Sequence, residues 1–268
     1  MSQLSASDVE LLLGGTSAEA RAETVAKIAV EFDEGHMDDS ARKIAEDIFR
    51  LLARDVEVRV RKALSENLKE SRVVPHDVAL ILANDVIEVA EPLLRLSQVL
   101  TDEDLVEIVR TQPMTCLAAV AQRAKVAEAV SEALVDNGDA EVVVTLISNK
   151  GAEVSESTFE KVLDVYPEND LVKESVAYRE RLPVRLAERL VTMVSARLQE
   201  HLVSHHELSP DIAAGVISQS REKATLELLI PGSSAVDVED LVEQLDTNQR
   251  LTPTIILRAI CTGDIAFF

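Results

Sequence analysis

The chain has 268 residues, with 27 Lys+Arg against 48 Asp+Glu, a formal net charge of -21, 47 % apolar residues, 3 % aromatics and no Trp. The apolar share excludes an acidic disordered tail, the two cysteines exclude a disulfide-dense secreted domain, and the acidic surplus argues against generic phosphate-backbone binding. Only 8 Gly and 8 Pro, among abundant Ala, Leu, Val and Glu, favour an all-α fold over a sandwich or barrel.

Cys116 and Cys261 lie far apart, without a CxxC pair, and read as buried thiols in a reducing compartment rather than redox or nucleophilic groups. No basic region followed by a continuous apolar run follows Met1, so no signal peptide is visible. Runs such as Val78 to Leu82 fall far short of the ~18–20 residues that span a bilayer. The expectation is a soluble cytoplasmic protein without membrane insertion.

Helix signals recur along the chain. Ser7 with Glu10 and Thr16 with Glu19 have capping-box spacing, and Gly14 and Gly15 separate a first short helix from a second. Ala22, Val25, Ile28, Ala29 and Phe32 share a face, and Gly35 ends that helix. Asp38 or Asp39 caps the next, which carries Ile44, Ile48, Leu51 and Leu52.

A repeated unit follows. Asp55-Val56-Glu57-Val58-Arg59 leads into Val60, Ala63, Leu64, Ser65 and Leu68. Asp85-Val86-Ile87-Glu88-Val89 leads into Leu93, Leu94, Leu96, Ser97 and Leu100. Gln112-Pro113-Met114-Thr115 leads into Leu117, Ala118, Val120 and Ala121, and Asp139 to Val143 into Leu146, Ile147 and Ser148. Ser65, Ser97, Ala121 and Ser148 serve as register anchors at repeat-like spacing. Partner helices open at Pro75-His76-Asp77, at Thr101 to Asp104, over Lys125 to Val135, and at Ser155-Glu156-Ser157. Two short helices per unit cannot bury their apolar faces alone, so neighbours must stack.

The pattern changes near Asp170. A longer helix runs from Pro183 to about His205, with Leu186, Leu190, Met193, Val194, Leu198 and Leu202 in one stripe. That stripe packs into a core or serves as a homodimer seam; its spacing is not a sustained heptad. Ser209-Pro210-Asp211 opens the next helix, which Ala224 to Ile230 continue or restart. Pro231 to Ser234 form a loop, and Asp237 to Asp240 and Thr252-Pro253 open the last two helices. The ending on Phe267-Phe268 suggests a truncated chain whose next helix starts there.

The Asp-x-Glu-Val-Arg element before an Ala/Leu-rich helix resembles HEAT repeats. Through Arg54 to Leu68 and Leu257 to Phe268, the chain also resembles an alphaproteobacterial family of uncharacterised HEAT-like proteins, a domain of unknown function. The resemblance implies an α-α superhelix, a helical repeat solenoid: a helical cap over 1–38, HEAT-like repeats over 39–180 and a helical C-terminal subdomain over 181–268. It supplies no activity and no catalytic residues.

His201, His205, His206 and Glu207 form the most pointed chemical cluster. His201 and His205 at i and i+4 could share a metal ion, with Glu207 as an oxygen ligand. The plainer reading is histidines beside a helix C-terminus, where the dipole favours positive charge. No HExxH is present. Asp136-Asn137-Gly138-Asp139 superficially resembles a calcium loop, but its spacing is wrong; a turn with Gly138 as a left-handed cap fits better.

Arg54, Arg59, Arg61, Lys62, Lys69 and Arg72 are the partner-binding candidates. Asp55, Glu57, Glu66 and Glu70 interleave with them, so a self-paired solvated surface is the plainer reading. No P-loop, GxGxxG or GxSxG occurs, and no catalytic residue or cofactor is expected. The expected function is a non-enzymatic cytoplasmic interaction scaffold or adaptor, by resemblance alone in bacterial signalling. It would hold protein partners of basic or mixed charge; nucleic acid is not expected. The rivals are a HEAT-like nucleic-acid-processing enzyme resembling alkylpurine DNA glycosylases and a metal or small-ligand sensor. The charge is uneven: residues 128–174 carry 12 Asp/Glu against 3 Lys, whereas Arg54 to Arg72 carry six basic residues against four acidic ones.

Overall fold

The computed structural model describes residues 17–35, 37–179, 182–205, 210–228 and 235–262. Among these the chain is all-α, as its composition predicts. Two compact units divide it, Met1–Thr158 and Phe159–Phe268.

The first unit holds α1 (Ala18–Asp33), α2 (Asp39–Leu52), α3 (Val58–Leu68), α4 (His76–Ala83), α5 (Ile87–Leu96), α6 (Asp102–Thr111), α7 (Met114–Ala121), α8 (Glu128–Asn137) and α9 (Ala140–Ser148). α10 (Glu156–Val165) crosses the boundary. Helices two apart in sequence pack together. α1, α3, α5, α7 and α9 each touch the next of their series; α2 touches α4, and α6 touches α8. Each helix thus buries one face against its own series and another against its sequence neighbours.

Local chemistry fixes the helix starts. Asp38 caps α2 by accepting from the Ala41 N–H at 2.8 Å. Thr101 and Asp104 form the capping box of α6, with bonds of 3.2 and 2.8 Å. Asp139 caps α9 and Ser155 caps α10. α1 is capped by Ser17, whose Oγ accepts from the Ala20 N–H. Thr16 and the expected helix before it, with Ser7, Glu10, Gly14 and Gly15, lie outside the described residues. Gly35 ends α1 at φ +71°.

Four sequence expectations change. In α2 the buried residues are Ala45, Phe49 and Leu52, while Ile44 and Leu51 are 54 % and 58 % exposed. Phe49 meets Phe32 edge-to-face at 5.1 Å, and this aromatic contact turns the helix one stripe from the expected one. The segment from Lys125 is not helical until Glu128. Val126 instead forms an isolated parallel bridge with Ala152, donating to the Gly151 carbonyl at 3.2 Å and accepting from the Glu153 N–H at 2.9 Å. Gly138 is not a left-handed cap, since its φ is -83°. Space explains the glycine: a Cβ there would lie 2.5 Å from the Leu134 carbonyl oxygen and 2.8 Å from Val142 Cγ1. The serine anchors also prove inequivalent. Ser65 lies inside α3, where its hydroxyl donates to the Val89 carbonyl at 2.5 Å. Ser97 follows α5, and Ser148 ends α9 in solvent.

The second unit holds α11 (Asp170–Ala177), α12 (Val184–His205), α13 (Pro210–Glu227), α14 (Ala235–Thr247) and α15 (Pro253–Thr262). Residues 210–227 form one continuous helix, and the expected loop over 231–234 lies outside the described residues. Val238, Leu241, Leu245, Ile255 and Ala259 form a core, against which Val184, Leu226, Val242, Leu251 and Ile256 pack. Among the described residues the expected α12 stripe is buried only at its start; the side chain of Leu202 lies outside them. Leu186 and Leu190 are inside, Met193 is half-buried, and Val194 and Leu198 are exposed.

Gly138→Ala is expected to lower stability by about 1–3 kcal/mol through overpacking. Gly215→Ala, inside α13 with nothing within 4 Å of its Cβ position, is expected to raise it by about 0.5–1 kcal/mol. Urea denaturation of both variants measures the contrast.

Candidate interaction surface

Arginine is the fourth residue of α1 and of α3, and each reaches an aspartate just before the next helix of its series. Arg21 pairs with Asp55 at 2.9 and 3.0 Å. Arg61 pairs through two nitrogens with Asp85, one bond at 2.9 Å, and also donates to the Asp55 carbonyl at 2.6 Å. Each aspartate also accepts a backbone N–H at the following helix start, from Glu57 at 2.9 Å and from Val86 at 2.7 Å. Burial would raise the Asp85 carboxyl. The Arg61 hydrogen bonds, the Val86 N–H and the Arg61 charge outweigh it and hold the group below its usual range.

The other series is linked the same way. Arg50 of α2 donates to Asp77 of α4 at 2.8 Å, which lowers the Asp77 pKa. His76 Nε2 lies 2.7 Å from Asp104 of α6. Burial opposes ionisation of Asp104, but the bonds from His76 and Thr101 prevail, and its pKa is lowered. Gln112 then bridges back to Asn84 at 3.0 Å.

The arginine links stop after Asp85, because the fourth residues of α5 and α7 are Ala90 and Leu117. Arg123 takes over from the turn after α7. It donates to the Leu94 carbonyl at 2.6 Å and the Ser97 carbonyl at 2.5 Å, at the end of α5. A cation there meets the negative end of the helix dipole, while burial pushes its pKa down. Asn149 holds the same turn by donating to the Ala121 and Arg123 carbonyls at 2.8 and 2.7 Å. Spacing alone pointed to none of these contacts.

The six basic candidates divide accordingly. Arg61 is half-buried in its pair, Arg59 pairs with Glu19 of α1, and Lys69 pairs with Glu66 at 3.0 Å. Arg54, Lys62 and Arg72 are exposed, and no ion pair joins them to a described residue. Arg54 lies before α3 and Arg72 after it, so the three are spread along that helix.

His201 and His205 belong to the last turns of α12; their side chains, with His206 and Glu207, lie outside the described residues. Among the described residues no group of three or more His, Cys, Asp or Glu is placed to hold a metal. Cys116 is a buried free thiol whose pKa burial pushes up. The side chain of Cys261 lies outside the described residues. No described helix is long and apolar enough to cross a membrane.

In the second unit a buried ion pair ties α12 to the turn after α14. Arg250 donates to Glu188 and Thr192, and the Glu188 side chain is 2 % exposed. Burial lowers the Arg250 pKa. A Schellman turn aims the arginine: its N–H reaches the Leu245 carbonyl at 2.7 Å, that of Gln249 reaches Asp246 at 2.9 Å, and Gln249 sits at φ 54°.

Residues 89–268 match a family described as an uncharacterised protein conserved in bacteria (DUF2336). The chain belongs to this family. The match begins inside α5 and takes in α6 to α15. It includes the ending Leu257 to Phe268 but not Arg54 to Leu68. The description reaches to bacteria, not to alphaproteobacteria, and assigns no reaction, ligand or partner. No curated protein and no solved structure matches the chain.

Because the Asp77, Asp85 and Asp104 pKa values are lowered on folding, these groups stabilise the fold fully above their unfolded pKa of about 3.9. That contribution is lost as pH falls through the folded values. Asp85→Asn is expected to be less stable at pH 7 and to show a shallower acid loss, read by denaturation across pH. Arg250→Met strands Glu188 and is expected to cost about 3–5 kcal/mol, and Glu188→Leu with Arg250→Met to recover most of it. Hydrogen exchange in α12 reports both.

Proposed function

We propose that this protein works by binding rather than by catalysis, as an interaction scaffold or adaptor whose first unit is a HEAT-like solenoid. The observation that carries the reading is the recurring link between successive helix pairs of one unit, Arg21–Asp55 and Arg61–Asp85 in one series and Arg50–Asp77 and His76–Asp104 in the other. From α1 to α6 each pair repeats its contact with the next, and such stacking gives an extended outward surface of the kind that repeat proteins use to hold partners.

Charge supports the choice of partner. The outward residues Glu103 and Glu107 of α6 and Glu128 and Glu132 of α8 are exposed acids on packed neighbours. A basic or mixed-charge protein gains in on-rate and specificity against such a surface, whereas nucleic acid is repelled. A reducing, cytoplasmic setting accords with the buried free thiol of Cys116.

Affinity capture from a bacterial lysate is expected to retain protein partners at about 50 mM salt and to lose most of them at about 500 mM, where charges are screened within a few ångströms. Failure to retain any protein at either salt overturns the reading, and so does retention of nucleic acid alone.

A further inference from the structure

α11 presents two large side chains to solvent on one side. Leu171 is 65 % and Tyr178 80 % exposed. They stand seven residues apart with Glu174 three residues after Leu171, so the three share a helix face. The opposite face is fixed, since Val172 and Val176 are fully buried. Tyr178 is the C-cap of the helix, its N–H donating to the Glu174 carbonyl at 3.1 Å. Arg179 turns the other way, with its guanidinium 5.8 Å over the Phe159 ring. The tyrosine is therefore held out from an anchored helix end. A pre-positioned, exposed Tyr of this kind anchors interfaces at little entropic cost.

The surrounding charge says what fits there. Glu168 and Glu174 are exposed, and no ion pair joins them to a described residue. Neighbouring cations are already engaged: Lys173 with Asp170 at 3.1 Å, Arg197 also with Asp170, and Arg189 with Asp164. Among the described residues the apolar pair thus has an acidic rim that no ion pair neutralises. A second copy would bring the same acidic rim against this one, and an anionic membrane would be repelled.

We propose that the Leu171–Glu174–Tyr178 face of α11 docks a basic segment of a partner protein. An apolar side chain of that segment packs against Leu171 and Tyr178 while its Lys or Arg residues meet Glu168 and Glu174. The inference rests on the binding reading above and gives it one address.

Two fluorescein-labelled helical peptides test it against the full chain by anisotropy. One carries Leu at i, i+3 and i+7 with Lys elsewhere, and the other has Ser in place of each Leu. Wild type is expected to bind the Leu peptide and not the Ser peptide. Leu171→Ser with Tyr178→Ser is expected to weaken binding about thirtyfold, and Glu168→Gln with Glu174→Gln about tenfold with a flatter salt dependence. Glu239→Gln with Glu243→Gln, exposed on α14, is the control and leaves binding unchanged; circular dichroism checks that each variant folds. No binding by wild type, equal binding by the Leu171/Tyr178 variant, or an equal loss in the α14 control overturns the proposal. So does a sedimentation shift from dimer to monomer in the Leu171/Tyr178 variant, which would assign the face to a second copy. If the peptide fails while lysate partners are still retained, this address falls and the binding reading stands; if neither is retained, both fall.

Discussion

A carboxylate placed at the start of a helix answers two demands in this fold. It accepts backbone N–H groups that the first turn leaves without partners, and its charge suits the positive end of the helix dipole. Asp55, Asp85 and Asp104 each do this, and each also takes a cation or imidazole from the preceding helix of its series. Capping and docking are therefore one contact. Asp85 makes the dependence plain: burial works against its charge, so its ionised form stands on Arg61 and the Val86 N–H. From α1 to α6, which cation reaches which helix start fixes how each helix meets the next of its series.

Local features were legible in the sequence. Thr101 and Ser155 cap helices where the sequence opens them, and Asp38, one of two adjacent candidates, caps α2, because a cap needs only residues two or three positions on. Buried faces were legible where a helix has one apolar stripe, as in α6 with Leu105, Ile108 and Val109. α2 has two adjacent stripes, and only Phe32, across the helix pair, selects between them. The later half of α12 reads as core by periodicity, yet Val194 and Leu198 face solvent. Links such as Arg61 to Asp85 and Glu188 to Arg250 join residues that no short motif relates. The basic segment from Arg54 to Arg72 was visible as composition, but the division into engaged and open cations depends on what the fold brings alongside.

That division sharpens the meaning of the net charge of -21. Arg21, Arg50, Arg61, Arg123, Arg189 and Arg250 are engaged in joining helices or holding turns. The cations most central to the architecture contribute least to the outward field. Glu103 and Glu107 of α6, Glu128 and Glu132 of α8 and Glu174 of α11 are exposed, and no ion pair joins them to a described residue, so the surface around them is more acidic than the residue count conveys.

The arginine links end at Asp85, and the family match begins four residues later at Val89. The last rung therefore joins two stretches of different standing, α1 to α4 before the shared region and α5 onward within it. Val89 and Leu93 are fully buried in α5, which packs against α3, and the Val89 carbonyl receives the Ser65 hydroxyl. A chain made only of the shared region would open this apolar edge to water. Among the described residues α1 to α4 cover that edge, and the Arg61–Asp85 pair fastens them to it.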